Sequence, residues 1–203
     1  MKKFILTIAI LAAAATSAFA QNLSVSAGYL NSTQKTSNNS TVSNGFYGGV
    51  GAEMALGSSF GIATGLYYSY LTTSASATES VVTVSGKTNE HYFTVPVHLT
   101  AGYSVSKDLR LFIEVGPAAN VGLASKTSGS VSVLGFSVNA DGDNYGEDST
   151  YTRFDVLLGG LAGIQFKNFK IFGGYNYGLL DRNSSDSIKL NRSEIIAGIA
   201  LCL

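Results

Sequence analysis

From residue 23 to the last residue, apolar side chains alternate with small or polar ones in eight separate stretches, and a period of two predicts a strand with one greasy face. In the first, Leu23, Val25, Ala27 and Tyr29 oppose Ser24, Ser26 and Gly28; in the second, Phe46, Val50, Ala52, Met54 and Leu56 oppose Tyr47, Gly49, Gly51 and Glu53. The third sets Phe60, Ile62, Leu66, Tyr68 and Tyr70 against Gly61, Ala63, Gly65 and Ser69, and the fourth sets Phe93, Val95, Val97, Leu99, Ala101 and Tyr103 against Thr94, His98, Thr100 and Gly102. Leu111, Ile113, Val115, Val121 and Leu123 face away from Arg110, Glu114, Gly116, Asn120 and Gly122 in the fifth. The sixth contrasts Phe154, Val156, Leu158, Ala162, Ile164 and Phe166 with Arg153, Asp155, Gly159, Gly163 and Gln165. The seventh has Phe169, Ile171, Tyr175, Tyr177 and Leu179 against Lys170, Gly174, Asn176 and Gly178, and the eighth has Ile195, Ala197, Ile199, Leu201 and Leu203 on one face.

Each stretch is roughly 10 to 13 residues long, near the length that lets a tilted strand cross a bilayer and longer than the ordinary strand of a soluble sandwich. The connections alternate too. Residues 32–44, 72–90 and 125–150 are long and rich in Ser, Thr, Asn and Gly, which predicts polar loops, whereas 57–59, 105–108 and 167–168 are short turns. Long loops outside and short turns in the periplasm are the outer-membrane pattern, with both termini in the periplasm. A two-residue turn at Lys167-Asn168 places Phe166 opposite Phe169, and both belong to the apolar faces. Aromatics also sort by height. Phe60, Tyr103, Phe166 and Phe169 fall at the short-turn end, and Tyr29, Phe46, Tyr68, Tyr70, Phe93, Phe154 and Tyr177 near the long connections. Two aromatic girdles with aliphatics between them fit a lipid-facing wall. The expectation is an all-β, closed, eight-stranded antiparallel up-and-down transmembrane barrel, because lipid leaves no partner for an open strand edge.

Composition agrees with that picture. Hydrophobic residues make up 45% and charged ones 13%, with 23 glycines and 2 prolines, yet the longest apolar runs beyond the N-terminus, 156–164 and 195–203, are too short for a membrane helix. At the start, Lys2 and Lys3 precede an apolar run from Phe4 to Ala15, and Ala18-Phe19-Ala20 supplies small residues for cleavage. This predicts an export signal over residues 1–20 and a barrel domain over 21–203, beginning at Gln21. Without the two lysines of the signal, 11 basic side chains stand against 13 acidic ones. That balance gives no basic surface for nucleic acid. The lone Cys202 has no internal disulfide partner and reads as a small inward filler.

Candidate chemistry lies on the opposite, inward face. Glu53, His98, Arg110, Glu114, Arg153, Asp155, Lys170 and Glu194 fall there, and a bore this narrow is filled by side chains. Charges of both signs are expected to pair into a network, structural or gating, with His98 opposite or diagonal to Glu114. Pro96 and Pro117 sit mid-strand on neighbouring strands and predict a bulge. Catalysis finds little support, because a nucleophile, base and orienter do not converge and His98 points away from lipid. The acidic run 141–148 resembles a calcium loop, but Tyr145 occupies a ligand position and Thr152 stands where a glutamate is needed. No cofactor or metal is expected.

Four further features fix a resemblance. Val95-Pro96-Val97, Glu114-Val115-Gly116-Pro117, Phe154-Asp155 followed by Gly160 and Gly163, and Tyr175-Asn176-Tyr177-Gly178-Leu179 occur in the order found in the PorT-like outer-membrane β-barrel family of Gram-negative bacteria. The sequence resembles that family over its second half. The resemblance implies an eight-stranded barrel, mostly of no defined activity. One departure is the final Leu203, where such barrels present a terminal aromatic to the insertion machinery.

The partners expected are outer-membrane lipid and, during biogenesis, the barrel-insertion machinery; the pattern identifies no extracellular partner. The leading functional expectation is a structural or interaction protein with a polar, plugged lumen. A narrow channel for small solutes and a soluble lipocalin-like binder, which would invert every inward and outward assignment, are the alternatives.

Overall fold

The computed structural model describes residues 22–36, 40–79, 82–133, 136–146, 151–182 and 190–203; the expected export signal and its cleavage site lie outside them. Nine strands follow one another: β1 (Asn22–Lys35), β2 (Ser40–Ala55), β3 (Phe60–Glu79), β4 (Val82–Ser104), β5 (Leu109–Val133), β6 (Phe136–Asp143), β7 (Phe154–Phe166), β8 (Phe169–Gly178) and β9 (Asn191–Cys202). Every neighbour is antiparallel. The ring runs β1-β2-β3-β4-β5-β7-β8-β9 and closes where β9 pairs with β1, from Ser24↔Cys202 to Lys35↔Asn191. Eight strands therefore make the barrel, and β6 is a ninth that pairs only with the upper part of β5.

The wall follows the sequence pattern. Val97, Leu158 and Ile199 are 53%, 48% and 61% exposed on the outside, whereas Asp155 is 1% exposed within the bore. Exposed aliphatics over the whole wall, with charge buried inside, are the reverse of a soluble barrel, so the lipocalin-like alternative falls. Aromatic side chains lie toward both ends of the wall. Phe60, Tyr103, Phe166 and Phe169 are exposed at the short-turn end. Toward the other end, Tyr68 and Tyr70 pair across β3–β4 with Phe93 and His91, and Tyr177 pairs with Ser193. Phe166 opposes Phe169 across a turn in which Lys167 takes φ 52°, a left-handed conformation that two-residue hairpin turns demand.

Two expectations about the strands are corrected. The segments 72–90 and 125–150 are not mainly loops. β3, β4 and β5 run for 20, 23 and 25 residues, and with β6 they continue as a four-stranded sheet rising beyond the wall, in the order β3-β4-β5-β6. Ser and Thr belong to strands here because their hydroxyls pair across the ladder, as in Ser85–Ser130 at 2.7 Å and Thr88–Thr127 at 2.9 Å.

The second correction concerns the prolines. Pro96 opposes Ala118, one step from Pro117, but the pairing on either side of them keeps the same register, so no bulge forms there. Each proline spends its missing N–H on a single side. The β3–β4 ladder skips two residue pairs beside Pro96 and the β4–β5 ladder skips two beside Pro117, while Pro96↔Ala118 and Pro117↔Leu158 hold the opposite sides. The only register shift between β4 and β5 comes higher, between His91 and Tyr92, where Leu123 is the extra residue.

Candidate functional site

The bore holds two layers of polar side chains with a chamber between them. In the lower layer Glu53 of β2 receives Arg110 of β5 and Lys170 of β8, each at 3.0 Å, so three strands are tied across the bore. Lys170 also lies over the Phe112 ring at 5.1 Å. Arg110 has room because Gly102 beside it carries no side chain; a Cβ there would stand 2.2 Å from Nε. His98 and Glu114 sit just above, diagonal on β4 and β5, with Nδ1 3.6 Å from the carboxylate, as the alternation predicts.

The chamber above this layer has a volume of about 110 Å³. Tyr47, Tyr67, His98, Glu114, Lys170 and Asn176 line it. Tyr47 Oη and His98 Nε2 are buried without a protein partner. A cavity of this size and polarity accommodates several waters, which would satisfy them. The bore is less polar than expected, for Leu30, Leu71 and Leu157 also point inward and are buried to 3%, 0% and 0% exposure.

The upper layer is built around Tyr92, which is fully buried. Arg192 of β9 lies over one part of its ring at 4.3 Å, and Arg182, from the segment after β8, at 5.2 Å. Arg182 also donates to Tyr92 Oη at 2.9 Å and covers Tyr151 at 4.5 Å. Both arginines are 1% exposed. Arg192 pairs with Glu194 and reaches Ser32 and Asn120 at 3.1 and 3.3 Å. Tyr151 donates to Gln34 at 2.8 Å and to Glu90 at 3.3 Å, which ties the segment before β7 to β1 and β4. Burial pushes the Tyr151 hydroxyl well above the ordinary tyrosine range, so it stays protonated and donating.

Of the eight inward charges expected from sequence, seven lie in the bore. Glu53, Arg110, Lys170, His98 and Glu114 gather in and above the lower layer, and Asp155 and Glu194 in the upper one. Arg153 is the exception. It lies before β7 begins, is exposed, and reaches back over the Tyr145 ring at 4.5 Å to the carbonyls of Leu123 and Tyr145. The strand period does not govern a residue outside the ladder. Cys202 is buried and points inward. Asp141 and Asp143 end β6, and Asp143 accepts the Tyr145 N–H at 2.9 Å to close the following turn; residues 147–148 of the acidic run lie outside the described residues.

A closed antiparallel ring with an apolar wall, two aromatic bands and the charges of that wall turned into the bore defines a β-barrel of the outer membrane. The model of the outer membrane protein beta-barrel domain matches residues 13–182, and the chain belongs to that family. No curated protein matches it. Among solved structures it is similar to the attachment invasion locus protein Ail of Yersinia pestis, at 19% identity over 90% of this chain and 98% of that one, with a TM-score of 0.43. It is also similar to Neisserial surface protein A, at 15% identity over 88% and 96% of the two chains, TM-score 0.45. The outer membrane enzyme PagL is similar at 10% identity over 86% and 98%, TM-score 0.43.

Proposed function

We propose that the protein is a non-enzymatic outer-membrane barrel with a plugged lumen, and that it displays the projecting β3–β6 sheet outside the cell for an interaction role in adhesion or envelope integrity. The short turns and both termini then lie in the periplasm, after removal of residues 1–20. The reading is carried by the stack of Arg182, Tyr92 and Arg192 at the foot of that sheet, where the largest buried side chains of the barrel close the mouth. The absence of catalysis is supported by the histidines. His91 faces outward with its Nδ1 2.6 Å from Tyr68 Oη, and His98 faces Glu114 and the chamber. The chamber favours the narrow-channel alternative, but a solute would have to displace both polar layers to pass.

Planar-bilayer recording tests the reading. The wild-type barrel is expected to show no conductance steps, and Arg182→Ala/Lys170→Ala, which removes a cation from each polar layer, is expected to produce them. Steady conductance of the wild-type protein would replace the interaction role with transport.

A further inference from the structure

The projecting sheet reverses the polarity of the wall beneath it. On the outward side its rows read Thr72-Asn89-Lys126-Asp143, Ser74-Lys87-Ser128-Asp141 and Ser76-Ser85-Ser130-Asn139. On the inward side, over the barrel mouth, they read Ala75-Gly86-Gly129-Ala140 and Ala77-Val84-Val131-Val138. Along β3 and β4 the sequence itself switches parity. Along β5 it does not: odd-numbered residues are apolar from Leu111 to Leu123 and again at Val131, with Ser125, Thr127 and Gly129 between. The bulge at Leu123 turns the upper half of β5 over, so that Val131 joins Val84 on the inner face rather than the outer one. Three strands reach one apolar face by two different routes.

These two rows are uncharged and exposed, with Val84, Val131 and Val138 at 48%, 44% and 72% exposure. Four strands at ordinary spacing make it about 14 Å across. Its foot is a polar notch of about 360 Å³ lined by Gln34, Ser43, Thr73, Thr88, Glu90 and Tyr151. The Glu90 carboxylate there takes hydrogen bonds from Gln34, Tyr151 and Ser125. Counted with Glu194 and Asp155 beneath, three carboxylates face two guanidiniums, Arg182 and Arg192, an excess of one negative charge among the buried groups of the described residues.

We propose that this inner face docks an extended polypeptide segment of a partner protein, aliphatic along the sheet and ending in a lysine or arginine at the notch. The proposal rests on the interaction role above and names its surface. Membrane lipid meets the outer wall and not this face. A second copy in the same membrane fits poorly, because each inner face looks over its own mouth and the short rim of β1, β2, β8 and β9 stands in between. An exposed aliphatic sheet face matches the side of an extended chain, and the negative excess at the mouth selects a cation.

The test uses the full barrel in phosphatidylcholine nanodiscs and a fluorescein-labelled, disulfide-cyclised hairpin peptide of alternating Val and Thr ending in two lysines, read by anisotropy. The expected result is saturable binding that weakens at least tenfold in Val84→Ser/Val131→Ser/Val138→Ser. Glu90→Gln is expected to weaken the lysine peptide several-fold and not to weaken a twin ending in two glutamates. The outer-face variant Ser76→Ala/Ser85→Ala/Ser130→Ala should bind as wild type. Heat-modifiable gel migration confirms that each variant is folded. Equal binding by the triple serine variant, or loss of binding in the outer-face variant instead, overturns the inner face as the surface and leaves the interaction role standing. Dimers in sedimentation that the triple serine variant dissolves would overturn the proposal in favour of a second copy.

Discussion

Replacing Glu53 with glutamine probes the lower layer most sharply. Glu53 is the only carboxylate within 4 Å of both Arg110 and Lys170 among the described residues, each contact being 3.0 Å. The amide keeps the shape and removes the charge, leaving two cations near one another within the bore. Breaking a buried pair in this way costs about 3–5 kcal/mol. The Arg110 side chain keeps 26% of its exposure, so part of its charge can turn toward the short-turn mouth, and the lower figure of about 3 kcal/mol applies. Lys170→Met should cost less, about 1–2 kcal/mol, because Glu53 keeps Arg110 and the methionine stem still covers Phe112. Urea unfolding of the barrel in phosphatidylcholine vesicles, followed by gel migration and tyrosine fluorescence, measures both. A Glu53→Gln barrel within about 0.5 kcal/mol of wild type would refute the idea that this layer carries paired charge.

Other consequences reach different parts of the barrel. Ile199→Lys, on the mid-wall, should destabilise the barrel by about 2–4 kcal/mol in the same unfolding assay, whereas Val138→Lys on the projecting sheet should leave stability within about 0.5 kcal/mol. Gly198→Val should impair folding, since a Cβ there would meet Tyr47 Oη at 2.1 Å and the Ala27 carbonyl at 3.0 Å; a normal yield of heat-modifiable protein would contradict the close packing of the bore. Terminal sequencing of the membrane-extracted protein should begin at Gln21, and a chain retaining Met1 would contradict the export signal.

Most of the wall was legible because the strand period does not depend on partners. Once Val97 is outward, so are Val95, Leu99 and Tyr103, and the two-residue turn at Lys167 carries the parity from β7 to β8. The lower ionic layer followed from the same counting. Part of the upper layer could have been reached by extending it: Glu90 and Tyr92 share the parity of His98, and Arg192 that of Glu194. Arg182 and Tyr151 could not, since both come from segments outside the ladder and alternation says nothing about where such a side chain dips. The projecting sheet was hidden by its composition, because serine and threonine rows read as loop until their cross-strand partners are known. The bulge at Leu123 was hidden more thoroughly. Odd-numbered residues of β5 are apolar both below it and again at Val131, and only the pairing with β4 shows that the strand has turned over.

Which side of the sheet meets lipid decides between this account and any other, and quenching measures it directly. With Cys202 replaced by serine, single cysteines at Val97, Leu158 and Ile199, and at Ser85 and Ser130 on the projecting sheet, would carry a bimane label in vesicles of chain-brominated phosphatidylcholine. Strong quenching at the three wall positions and none at the two serine positions is the predicted result. Unquenched label at 97, 158 and 199 would mean that the apolar wall does not lie in the membrane.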